Sequence, residues 1–382
     1  MAVPQENSPA IRHKLAQPYF DDAEFTAVRE VLASGRLIQG LRVEAFEGEV
    51  CRLTGAREAV AVSSGTAALH VAFSAYGLTS GDAVFIPSFA WPSAANVARV
   101  MGALPVLIDV HAHTYNIDPD HLRQRIAATR KIGWAKPRLV VPVHQFGLPC
   151  DMEAVLQIAA DERLDVIEDA ACAMGAKVGN TSAGLLGVAG IFSFHPRKSV
   201  TTGEGGAIVT NDSNLAARCR AFRNHGQRGA FDFAVPGLNY RLSELHAAIG
   251  LVQIHKLAPV LEKRRQLVGR YLHALEDVPG VVLPEAPENH TWQTFMVRVN
   301  GGSRDEIIRR LRQQHGVEAG IGSVDAHLLA VHREGPEWVE LPVSLALHEG
   351  GLALPLHAGM MVEDAGECAE ALQAVMVTLN HK

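Results

Sequence analysis

Between about Glu58 and Asn211, short apolar runs alternate with amphipathic stretches, and this alternation leaves few folds open to the chain. Ala59-Val60-Ala61-Val62 precedes a helical pattern over Ala67–Tyr76, and Val84–Pro87 precedes another over Ala94–Met101. Pro105–Asp109 is followed by Asp118–Ala128, Leu139–His144 by Met152–Ala160, and Val166-Ile167-Glu168-Asp169 closes the series. Runs too apolar to face water on either side, each followed by a helix, predict a mainly parallel sheet covered on both faces. Ligands of such sheets gather at the carboxyl ends of the strands. The residues just after each apolar run are therefore the candidates for chemistry.

The pattern changes after Gln253. A long helix is expected over Leu257–Leu275, then a strand over Thr294–Val299, then a helix opened by Ser303 with Glu306 as its capping-box partner and closed by Gly316. A last amphipathic helix covers Val362–Leu379. The chain has 382 residues, too many for one simple core. The expected division is a large domain over 1–255, N-terminal segment included, and a small α+β domain over 256–382.

Charge and cysteine usage exclude several function classes. A net charge of −6 gives no reason to expect nucleic acid or acidic lipid as a partner. No apolar run approaches the length that spans a bilayer, and the N-terminal twenty residues lack a secretory pattern. The five cysteines form no CxxC pair or Cys/His cluster, so neither a disulfide framework nor a metal site is expected, and a reducing, cytoplasmic setting fits.

Two residues stand out by type and place. Lys198 follows the apolar run Gly190–Phe194 and precedes a Thr-Thr-Gly-Glu-Gly-Gly turn, read as flexible and polar, before a second apolar run, Ala207–Val209. Asp169 ends the run at Val166-Ile167. A lysine able to form an imine and a carboxylate able to hold a protonated ring nitrogen are the minimum for pyridoxal phosphate chemistry. Gly65 and Thr66 open a helix, whose N-terminal N–H groups suit a phosphate, although an ordinary Ser/Thr cap explains the segment equally well. Lys177 sits in a polar loop approach and is the weaker lysine, and His70 and His195 read as structural histidines in apolar segments.

Five motifs in order carry a resemblance: Ser63-Ser64-Gly65-Thr66-Ala67-Ala68, Pro87-Ser88-Phe89-Ala90-Trp91, Glu168-Asp169-Ala170-Ala171, Ser193-Phe194-His195-Pro196-Arg197-Lys198, and Gly237-Leu238-Asn239-Tyr240-Arg241. Together, from Leu15 to about Val377, the chain resembles the DegT/DnrJ/StrS aminotransferases, fold-type I enzymes that use pyridoxal 5'-phosphate and mostly aminate keto-sugars. The resemblance implies that Lys198 binds the cofactor and shuttles a proton, that Asp169 pairs with the ring nitrogen, and that Gly65, Thr66 and Ser193 hold the phosphate. It implies that Trp91 stacks on the ring, with a buried core tryptophan as the competing reading, and that Asn239 reaches the phosphate of a neighbouring subunit, making a homodimer with shared active sites. Cys172 stands where the family usually has Gln or His on the cofactor's phenolic oxygen, and is a weaker donor. Arg241 either contacts substrate or lies on the inter-subunit helix. The segment that usually carries Tyr-Pro and a substrate histidine is here Gly320–His327, in which His327 fits and the aromatic is missing.

The expected reaction moves an amino group from glutamate or glutamine to a keto-sugar, most often nucleotide-linked, in amino-sugar biosynthesis. A keto-cyclitol such as an inosose is the alternative acceptor. The sugar dehydratase branch replaces the lysine, typically by histidine, whereas Lys198 is intact. Regulators built on this fold carry a DNA-binding domain, for which residues 1–20 are too few.

Overall fold

The computed structural model describes residues 10–133, 135–300, 303–333 and 339–380. Two helices, α1 (Asp22–Ser34) and α2 (Leu41–Thr54), lead into alternating strands and helices: β1 (Glu58–Val62), α3 (Gly65–Tyr76), β2 (Asp82–Pro87), α4 (Ser93–Val100), β3 (Leu104–Ile108), α5 (Pro119–Ile132), β4 (Lys136–Val140), α6 (Met152–Glu162) and β5 (Asp165–Asp169). A hairpin of β6 (Lys177–Val178) and β7 (Thr181–Ser182) precedes β8 (Ala189–Ser193) and β9 (Gly206–Thr210). Helix α7 (Ser213–Arg223), the hairpin β10 (Gln227–Gly229) and β11 (Asp232–Phe233), and α8 (Glu244–His255) complete this part.

Seven strands form one sheet in the order β1-β9-β8-β5-β4-β2-β3. Only β9 runs against its neighbours, so the other six end on the same edge. Strand alternation explains the two covered faces. Val60, Val62, Val84, Ile86, Ile167, Ile191 and Ile208 enter one apolar cluster, with α3 and α4. Their neighbours face the other way, Ala59, Ala61, Phe192 and Val209 into a second cluster and Ala83, Phe85, Val140 and Val166 into a third. The run read over 139–144 pairs regularly only to Val140, because Pro142 lacks the N–H to continue a ladder. Val143 then makes a single bridge to Asp169.

The later residues form α9 (Leu257–Leu275), β12 (Val281–Val282), β13 (Phe295–Val299), α10 (Arg304–His315), α11 (Pro342–Gly350), β14 (Gly351–Leu354) and α12 (Val362–Asn380). Strands β12-β13-β14 make an antiparallel sheet packed with α9 and α12 around Leu267, Tyr271, Phe295 and Leu372. Gly316 ends α10 in the left-handed region as expected, but the capping box at Ser303 does not form. Glu306 instead binds Arg309 and Arg310 one turn on, which removes the carboxylate the box requires. The segment around His13 and Leu15 lies against these later residues: His13 bridges to Val317, and Leu15 N–H donates to Glu318 at 3.0 Å. No helix among the described residues is long and apolar enough to cross a membrane.

Candidate active site

Six strands end on one edge of the large sheet, and a cavity of about 800 Å3 opens there. Gly65, Thr66, Trp91, Asp169, Cys172, Ser193 and Lys198 all line it, Asp169 and Ser193 as the last residues of β5 and β8 and the others from the loop or helix that follows a strand. Residues scattered over more than a hundred positions meet because each occupies the same place in its strand-and-turn unit.

One end of the cavity is the start of α3. Ser64 caps the helix by accepting from Ala67 N–H at 3.0 Å, and the first turn leaves Gly65 and Thr66 N–H without a helical partner. Gly206 opens β9 between Val62 and Ser193, and a Cβ there would lie 2.4 Å from Ser64 O. The β1–α3 turn can therefore fold over the start of β9, and Gly65 comes so near Ser193 that its own Cβ would stand 2.8 Å from that of the serine. Two N–H groups, the Ser193 hydroxyl and the Thr66 hydroxyl, which is 3.1 Å from Ser93 Oγ, make an anion seat with a favourable helix dipole.

Lys198 stands on a tight turn closed by Lys198 N–H donating to His195 O at 2.8 Å. Its Nζ donates to Cys172 Sγ at 3.0 Å, so the thiol does lie beside the amine. The Thr201–Gly206 stretch is not the flexible polar turn expected. Thr201 and Thr202 are buried, and both tie to Phe194 O, through the Thr201 hydroxyl at 2.9 Å and the Thr202 N–H at 3.0 Å. Polar groups that bond backbone at this density fix a turn rather than loosen it.

The two adjacent carboxylates part company at the end of β5. Successive side chains of a strand face opposite ways. Glu168 turns away, where it accepts from Gly184, Leu186 and Gly187 N–H and from His144 Nε2 at 2.9 Å. His144 Nδ1 accepts from Cys150 N–H at 3.0 Å, which leaves the proton on Nε2. Asp169 turns into the cavity and accepts from Ala171 N–H at 3.0 Å. Burial pushes its carboxyl above the usual carboxylate range, against the lowering pull of the Ala171 bond and of Lys198. A buried carboxylate in this state suits a cationic partner such as a protonated ring nitrogen.

Trp91 is 64% exposed at the cavity, which rules out the buried-core reading. Asn239, Arg241 and His327 do not line it. Asn239 is exposed beside β1, where Tyr240 O accepts from Ser63 N–H and Arg241 pairs with Val62. Arg241 Nη1 donates to Asn224 Oδ1 at 2.6 Å. His327 is buried, with Nδ1 2.7 Å from Asp325 Oδ1 and its N–H donating to Ser88 Oγ at 3.1 Å. Lys177 is exposed and away from the cavity, and His70 bonds the Tyr240 hydroxyl as a structural histidine. His195, read as structural, lines the cavity beside Lys198. Further lining residues had no role assigned from sequence: Arg197, Glu204 and Ser323, which lie within the motifs singled out, and Gln145 and Gln293, which lie outside them.

The DegT/DnrJ/EryC1/StrS aminotransferase family profile matches residues 18–373. Among solved structures, a DegT DnrJ EryC1 StrS aminotransferase from Brucella abortus is 33% identical with a TM-score of 0.86, covering 94% of this chain and 96% of that one. The aminotransferase TlmJ from Streptoalloteichus hindustanus is 30% identical with a TM-score of 0.89, covering 96% and 99%. DesI, determined in the presence of its TDP-sugar product, is 31% identical with a TM-score of 0.87, covering 98% and 96%.

Proposed function

The chain belongs to the DegT/DnrJ/EryC1/StrS family of sugar aminotransferases and is a fold-type I pyridoxal phosphate-dependent aminotransferase, and from that premise we propose that it carries an amino group from glutamate or glutamine to a nucleotide-linked keto-sugar. The observation that carries this reading is one cavity shared by Lys198, the inward-facing Asp169 and the anion seat at the start of α3. The residues fit the cofactor: Gly65 N–H, Thr66 and Ser193 would hold its phosphate, Asp169 its ring nitrogen, and Trp91 would cover its face. Cys172, beside Lys198 Nζ, would bond its phenolic oxygen.

Bound pyridoxal phosphate supplies an electron-accepting ring that stabilises the charge left when the donor's α-carbon loses its proton. Lys198 Nζ would hold the cofactor, and as a free amine in the same cavity it would be the base that accepts the proton of the donor's α-carbon and the acid that gives it back. Asp169 would keep the ring nitrogen protonated, and Trp91 would limit water on one face. The DesI likeness supports a nucleotide-linked acceptor. The cavity also extends to Gln293, Thr294 and Gly320–Ser323, beyond the cofactor residues. The missing aromatic in that segment favours a keto-cyclitol as the second reading.

The active unit is a homodimer in this proposal. Phe231 (90% exposed) and Ile38 (76%) leave apolar surface of the kind a subunit interface covers. Asn239 would then serve the cavity of the neighbouring subunit, and Arg241 would brace its loop. The chain would divide into its two domains at Lys256, where α8 ends and α9 begins.

The test is absorption of the bound cofactor, followed as glutamate or glutamine is added and then as nucleotide-linked keto-sugars or free keto-cyclitols are added. Lys198→Ala should lose the covalent cofactor signal and about a thousandfold in kcat. Full turnover by that variant would overturn the assignment, and amination of cyclitols alone would select the second reading.

A further inference from the structure

Arg197 lines the cavity one residue before Lys198, and no hydrogen bond or ion pair engages its guanidinium among the described residues. Arg218, Arg220 and Arg223 of the large-sheet part are engaged away from the cavity, with Ala75 O, Glu58 and Glu47, whereas Arg197 lines it. The root of Arg197 is fixed at both ends. Its N–H donates to His195 Nδ1 at 3.2 Å, and its carbonyl accepts from Gln293 Nε2 at 3.1 Å. Gln293 lies two residues before β13 and itself lines the cavity, so Arg197 is held to the wall that the later residues supply.

Charge makes the position specific. The acidic residues lining the cavity are Asp169 and Glu204, and the basic ones are Lys198 and Arg197, with His195 beside them. Lys198 and Asp169 are committed to the cofactor on the reading above. His195 accepts at Nδ1, so its proton is on Nε2, and burial lowers its pKa against the raising pull of Glu204, with Arg197 and Lys198 adding to the lowering. It is a neutral donor. Among the described residues that line the cavity, the permanent cation left for a substrate is Arg197, and both substrates of the proposed reaction are anions: the amino acid through its carboxylates, a nucleotide-linked sugar through its diphosphate. A guanidinium presents a planar fork that matches either oxyanion with two parallel hydrogen bonds.

We propose that Arg197 binds an oxyanion of the substrate, the donor's carboxylate or the diphosphate of the acceptor, at the exposed side of the cavity. This rests on the aminotransferase reading. Because donor and acceptor enter in turn, one fork is able to serve both.

The experiment compares wild type, R197Q and R197K as holoenzymes. Calorimetry measures binding of glutarate and of thymidine diphosphate, and cofactor absorption follows the donor and acceptor half-reactions separately. R197Q is expected to weaken binding of one or both anions by about tenfold or more, with a matching rise in KM and little change in kcat. R197K should recover only part of the loss, since an ammonium keeps the charge without the fork. A change confined to glutarate and glutamate identifies the carboxylate, and one confined to thymidine diphosphate and the acceptor identifies the diphosphate. Unchanged affinity for both anions overturns the proposal, as does a fall in kcat or in cofactor absorption with anion binding intact. The binding arms need no turnover. A protein that aminates no keto-sugar yet loses anion affinity in R197Q would refute the proposed reaction and leave this assignment standing.

Discussion

Asp169 shows what one residue's surroundings do to both stability and chemistry. Its folded pKa is raised by burial, so the sign of the linkage runs against the usual carboxylate. Below the unfolded pKa both states are protonated and the group contributes nothing. As pH rises through the folded pKa, the cofactor-free protein bears the cost of a buried charge. Asp169→Asn keeps the Ala171 N–H bond and removes that charge. The cofactor-free variant should therefore melt higher than wild type at pH 7, with the gain fading as pH falls to the ordinary carboxylate range. Its holoenzyme should lose about a hundredfold or more in kcat, because the ring nitrogen loses its counter-charge. Thermal melts across pH, with and without cofactor, check both signs. At this scale the sequence was legible for Lys198 and Asp169 as residues of the cavity, since each is a reactive type placed at or just after a strand end. It was not legible for Arg197 or Gln293, whose roles come from where a turn and a distant strand happen to meet.

Elements were legible where apolar pattern and caps agreed. The strand–helix alternation came through because each strand is buried on both faces and each helix on one. The Ser303 box failed because Arg309 and Arg310 compete for Glu306 at a range the pattern does not weigh. The Thr201–Gly206 turn looked loose because hydroxyls and glycines are common in loops. Here the hydroxyls satisfy buried carbonyls, and the glycines admit another backbone. The contact between α3 and β8 depends on that close approach. Gly65→Ala should force α3 and Ser193 apart, since its Cβ would stand 2.8 Å from that of the serine, at a cost of about 1–3 kcal/mol. Cofactor affinity should fall about tenfold, read by equilibrium dialysis, while far-UV circular dichroism stays unchanged. Undiminished affinity would show that the seat at the start of α3 does not hold the phosphate.

The whole molecule is tied together by polar bonds that no local pattern announces. Ser88, at the end of β2, bonds Asp325 across 237 positions of sequence, and Asp325 also faces His327. Ser323, two residues before that aspartate, lines the cavity. Asp325→Ala leaves the buried Ser88 hydroxyl and His327 without this partner, a loss of about 1–3 kcal/mol for a buried polar group deprived of its hydrogen bond. The melting temperature should fall. The KM for the acceptor should rise more than that for the donor, because the loosened wall is the one beyond the cofactor. Equal effects on both substrates would mean that the web only stabilises the fold. His327 was legible as a residue of this region, but its burial was not, because only the folded chain brings Asp325 and Ser88 to it.

The pairing of residues 13–15 with 317–318 sets an order of events during synthesis. Leu15 and Ala16 line the cavity, and Leu15 N–H bonds a carboxylate 303 positions later. At roughly 5–20 residues per second, a ribosome makes that partner about 15–60 s after the leucine. Throughout that interval the nascent sheet exposes its strand ends with one wall of the cavity missing. The chain's earliest-made wall thus waits on one of its later segments, and a polypeptide interrupted before Glu318 carries Lys198 and Asp169 in an open trough.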